Sequence, residues 1–169
     1  VDANNPAVRI DVRSDRKIQV KCTSELMRTA DYTLPHGGDP LADSFRGVAG
    51  SPVKPTESAD VVIPDEECVI WAHRNETSLY PLIMERQNAE EFIEKYPDPY
   101  MGRTFGAAIS GTGMKPSEDG LSLVTLSPSK ICSIDVVAYT AQTQSMSEWK
   151  DTLSALVSLV RLPDRISAE

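Results

Sequence analysis

The stretch SMSEWKDTLSALVSLVRLP, residues 145–163, decides how the chain closes. Ser145 and Glu148 have the S-x-x-E spacing of a capping box, in which two side chains satisfy backbone N–H groups that a first helical turn leaves unpaired. Met146, Trp149, Leu153, Leu156, Val157 and Val160 then recur at three- and four-residue intervals, giving one apolar stripe that needs a surface to cover it. Pro163 ends the helix. The residues just before it supply that surface. Over 131–139, Cys132, Ile134, Val136 and Ala138 define one face and Ser133 and Asp135 the other, which is the period of a strand.

Outward from there, the same alternation appears at the other end of the chain. Val8, Ile10 and Val12 alternate with Arg9, Asp11 and Arg13; Ile18, Val20 and Cys22 alternate with Lys17, Gln19 and Lys21; and Ser14 and Asp15 lie between, which predicts a hairpin. From 32 to 58 Pro, Gly, Ser and Asp dominate, and Pro35, Gly37, Gly38, Pro40, Gly47, Gly50, Pro52 and Pro55 predict a long loop. Strand-like segments follow at 60–63, 68–73 and 77–84. A helix is expected at 88–96, capped by Asn88 and burying Ala89, Phe92, Ile93 and Tyr96 before Pro97. Further strands are expected at 103–109, 121–126 and 131–139, with a turn region at 110–120. The expectation is an α+β fold on a single domain, 1–169. It is a mainly antiparallel bent sheet or small barrel of about eight short strands, closed by the C-terminal amphipathic helix and carrying one inserted helix.

Composition sets the class. A chain of 169 residues with 40% hydrophobic and 25% charged residues has enough apolar material for one core, which excludes a wholly disordered chain. No run of about 18 apolar residues occurs, so no membrane-spanning helix is expected and membrane contact is peripheral at most. A formal charge of −8 disfavours nucleic acid, whose binding needs a basic surface to displace counterions. Cys22, Cys68 and Cys132 stand singly, without C-x-x-C spacing, and read as buried thiols of a cytoplasmic or other reducing compartment. The alternative is a secreted or periplasmic protein that has lost a leader, since the sequence opens on Val1; Asn75-Glu-Thr77 is then a glycosylation acceptor.

Chemical motifs dissolve on inspection. His36 in Leu-Pro-His-Gly-Gly lacks the G-x-S-x-G partner an esterase needs, and His73 sits in a strand beside Trp71. Ser14–Lys17 and Ser127–Lys130 have S-x-x-K spacing without its companion motifs, and residues 106–113 have the glycines of a phosphate loop without its Lys-Ser/Thr pair. Asp65, Glu66 and Glu67 form an acidic turn without a wider set of calcium ligands. No catalytic residue, cofactor or metal is therefore expected. One feature stands out: Arg9, Arg13, Arg16, Lys17 and Lys21 crowd the first strands against Asp11 and Asp15, a basic patch on an acidic chain and a candidate site for an anion or an acidic partner. His36, Phe45 and Arg46 are candidate contact residues of the long loop.

A last strand, a short polar stretch, and a helix with Trp149 in its first turn and Leu153 four residues on resemble the pleckstrin-homology-like superfold. That resemblance implies a bent barrel capped by the terminal helix. It also implies one of two roles: binding a protein partner, or binding phosphoinositide headgroups through basic residues of the first hairpin, where Arg13, Arg16, Lys17 and Lys21 stand. The expected function is a non-catalytic interaction or scaffold domain for a protein partner. The alternatives are an anionic lipid-headgroup module and a processed inhibitor or immunity-type protein. Sequence does not set the oligomeric state.

Overall fold

The computed structural model describes residues 5–33 and 56–161. In chain order these form β1 (Ala7–Ile18), β2 (Lys21–Thr23), β3 (Tyr32–Thr33), β4 (Thr56–Glu57), β5 (Val61–Ile63), β6 (Val69–Arg74), α1 (Tyr80–Arg86), a 3-10 turn at Glu90–Phe92, β7 (Arg103–Gly111), β8 (Met114–Pro116), β9 (Ser122–Thr125), β10 (Ser129–Gln142) and α2 (Met146–Val160). The fold is α+β. Its strands make a five-stranded sheet in the order β1-β10-β7-β6-β5, a three-stranded sheet β2-β9-β8 and the pair β3-β4. Every ladder is antiparallel. Among the described residues the sheets keep open edges and no barrel closes.

Register sorts the side chains of the large sheet onto two faces. On the first, Ile63, Ile70, Ala108, Val137 and Ala7 are successive cross-strand partners and form an apolar row. α2 lies on this row and buries Trp149, Leu153, Val157 and Val160, with Met146 and Leu156 packed at its margins. Half of the capping box forms as the spacing requires, since Ser145 Oγ accepts from Glu148 N–H at 3.1 Å; Glu148 reaches back one residue further than the N-cap and accepts from Gln144 N–H at 2.7 Å. Trp149 is fully buried and stacks on Tyr139, ring centroids 6.2 Å apart. Gly106 makes room for it. A Cβ there would collide with the Trp71 carbonyl and stand 3.0 Å from the indole, so only glycine lets β7, β6 and α2 approach this closely.

On the second face, Val69, Ile109 and Ile134 pack with Cys132 beneath the small sheet, which contributes Met114 and Leu123. Among the described residues the small sheet covers only part of that face.

Three expectations are corrected. The first hairpin is absent. β1 runs straight through Ser14 and Asp15 with a register shift between Arg13 and Ile18 and pairs with β10, while β2 pairs with β9. Period two fixes a strand's faces but not its partner, and β10 offers Val136, Ile134 and Cys132 opposite Val8, Ile10 and Val12. Residues 77–84 are not a strand, because α1 occupies Tyr80–Arg86 with Pro81 in its first turn, where a missing N–H costs nothing. The helix expected at 88–96 shrinks to the turn Glu90–Phe92, and Phe92 and Tyr96 are exposed. Asn88 ends a helix instead of starting one. Its φ of 53° is left-handed, its N–H reaches Glu85 O, and Ala89 N–H reaches Met84 O, which together make a Schellman close.

Candidate functional site

The structure divides the basic cluster. Arg9 faces the α2 side of the sheet and grips its cross-strand partner Asp135 with two parallel bonds, Nε to Oδ1 at 2.8 Å and Nη2 to Oδ2 at 3.0 Å. Ser110 follows Asp135 in register, and Arg161 donates to Ser110 Oγ at 3.3 Å and to Glu67 at 2.9 Å, so a polar row crosses the sheet beside the last turn of α2. Arg9 is thereby committed to the fold. Lys21 lies in β2, opposite Val124 and in the other sheet. Arg13, Arg16 and Lys17 stay together on β1 and form no ion pair among the described residues. His36, Phe45 and Arg46 lie outside the described residues.

β1 is also where, among the described residues, the part of the second face that the small sheet leaves open begins. Val8 and Ile10, 40% and 43% exposed, point to that face, with Val136 and Ile134 as their register partners. The next rows inward are Ala138–Ala107–Trp71–Val62 and Thr140–Phe105–His73. Trp71 and Phe105 are half-buried and Ala138 and Thr140 exposed, so an apolar and partly aromatic surface extends from the β1 edge across the sheet.

This face ends on a buried polar cluster that the sequence did not announce. His73 Nδ1 lies 3.2 Å from Asp60 Oδ1, and the side chains are 6% and 1% exposed. Arg28 reaches the same Asp60 oxygen at 3.4 Å, Glu57 at 3.5 Å, and sits over the Phe105 ring at 5.6 Å; Phe105 in turn lies 5.1 Å from the His73 ring. Asp60 N–H donates to Arg28 O at 2.8 Å. The cluster ties the segments around 28 and 60 to β6 and β7. Among the described residues no hydroxyl or thiol is hydrogen-bonded to His73, so it holds the geometry of an oriented imidazole without a partnered nucleophile.

A cavity of about 370 Å³ opens between α2 and the turn from β5 into β6, floored by Cys68, Ile70, Ala108, Leu153 and Val157, with Asp65, Glu67 and Arg161 among its polar lining. Burial pushes the Cys68 thiol up, which makes it a poor nucleophile. Cys132 is raised for the same reason, and all three cysteines are free thiols. At Asp65 burial alone would raise the carboxyl. The N–H groups of Glu67 and Cys68 and the Lys150 ammonium outweigh it and hold the group below its ordinary value. The acidic turn is thus a self-satisfied Asx turn, and no group of three metal-ligating side chains occurs among the described residues. No helix among them is long and apolar enough to cross a membrane. Asn75 bonds backbone on both sides of its turn, its N–H to Arg103 O and its amide to Tyr100 O.

No curated protein and no solved structure matches the chain. One family model does, over residues 1–166, a span running from ahead of β1 to beyond α2. The chain therefore belongs to the family DUF5703_N, described as a domain of unknown function (DUF5703).

Proposed function

We propose that this chain is a non-catalytic interaction domain whose second sheet face, left partly open among the described residues, receives a protein partner. The observation that carries the reading is the continuity of Val8 and Ile10 with Trp71, Phe105, Ala138 and Thr140 on one side of a sheet whose other side is closed by α2. Contiguous apolar surface rimmed by polar groups is what a recognition surface needs: the centre excludes water and the rim fixes orientation. The resemblance to the pleckstrin-homology-like superfold is kept here as support for the same class of role.

The test is affinity capture from extracts of the producing cell, comparing the parent with Ile10→Asp. Ile10 is half-exposed, so the variant should keep its circular dichroism and melting curve while placing a charge in the surface. One protein enriched by the parent and lost from the variant is the expected result. Equal recovery by both, or micromolar binding of the parent to phosphoinositide vesicles, contradicts the reading.

A further inference from the structure

We propose that β1 is a docking edge that takes an extended acidic segment of the partner as a sixth strand of the large sheet. This rests on the interaction-domain reading and specifies its chemistry. β1 is twelve residues long, stands at the end of the strand order, and has β10 as its strand partner among the described residues. The opposite edge, β5, has three residues. Natural sheets keep their edges short, charged or covered, because an open ladder recruits other strands. β1 is long, and its charges are arranged selectively. Beside Asp11, which accepts from Ser133 Oγ, and Asp15, β1 carries Arg13, Arg16 and Lys17, which form no ion pair among the described residues, on a chain whose formal charge is −8. Acidic side chains of an added strand are drawn to the end of β1 that carries Arg13, Arg16 and Lys17.

The alternation along β1 specifies the partner further. Val8 and Ile10 offer an apolar row on the uncovered face, and Arg13 points to the α2 side. A strand added here is therefore apolar on the face it shares with Val8 and Ile10, and its acidic side chains fall at the end that meets Arg13, Arg16 and Lys17, past Asp11. Its backbone supplies the affinity and its side chains the selection, as in other strand-addition complexes. The regular part of the edge, residues 8–13, spans about 20 Å, enough for a segment of about six residues.

The probe is a soluble ten-residue peptide alternating Glu with Val and Thr, measured against the same peptide with Lys for Glu and against a copy N-methylated along one edge. The acidic peptide should bind and protect β1 amides from exchange, the basic and N-methylated peptides should not, and Arg13→Glu/Arg16→Glu/Lys17→Glu should weaken binding by about tenfold or more. N-methylation without effect overturns strand addition. Undiminished binding by the triple variant overturns the role of the charges. If no peptide binds while the parent still captures its protein partner and Ile10→Asp does not, the edge proposal falls and the face reading stands. Binding to anionic vesicles that the triple variant loses assigns the cations to a membrane and also overturns it.

Discussion

Trp149 is the largest fully buried side chain among the described residues. Its indole fills the space between α2, Gly106 and Tyr139, and it is completely buried. Trp149→Ala should cost about 3–5 kcal/mol through lost contacts and the cavity left behind, read as a shift in the urea midpoint. Equal melting of parent and variant would remove the packing assignment. Asp65 allows a test by pH. Its carboxyl is held below the ordinary 3.8, so its contribution is present above that value and is lost as the pH falls through the folded-state pKa. Asp65→Asn should flatten the stability slope below about pH 4, and an unchanged slope would contradict the Asx turn. Arg74 shows what sequence conceals at this scale. It bonds Gly102 O, Thr104 Oγ1, Thr143 Oγ1 and Thr143 O within 2.8–3.1 Å, joining the start of β7 to the end of β10, yet nothing near it in sequence marks it as different from an exposed arginine.

Elements were legible where local chemistry alone decides them. α2 was readable because its cap and stripe lie within one segment, and Ser145→Ala should remove about 1 kcal/mol by orphaning the Glu148 N–H. A thermal midpoint equal to the parent's would mean that the cap is replaced by solvent. α1 is ambiguous in the sequence because Leu79, Tyr80, Leu82 and Ile83 make an apolar run too short to separate helix from strand, and the decisive fact is where Pro81 sits relative to the first turn. The hairpin was misassigned for a different reason. Ser14 and Asp15 are good turn residues, but extended backbone also accepts them, and the ladder to β10 aligns seven consecutive residues from Ala7 to Arg13. The His73–Asp60–Arg28–Phe105 cluster was illegible because its members come from four separated segments and meet only through register.

At the scale of the molecule, one sheet is served unequally on its two sides. α2 closes the first face along its apolar row, and the small sheet closes part of the second. What is left, among the described residues, is a half-covered surface bordered by the twelve-residue β1, which carries Arg13, Arg16 and Lys17 beside Asp11 and Asp15, on a chain that is acidic overall. The α+β class and the closing helix follow from periodicity; the open face does not, because it depends on which strands the small sheet fails to reach. On the proposed reading, a protein partner occupies this surface. Amide hydrogen exchange of the chain, free and in complex with the protein it captures, tests it most directly. The account predicts added protection along β1 and at Trp71, Phe105 and residues 138–140, with α2 unchanged; protection confined to α2 or to the 370 Å³ cavity beside it would contradict it.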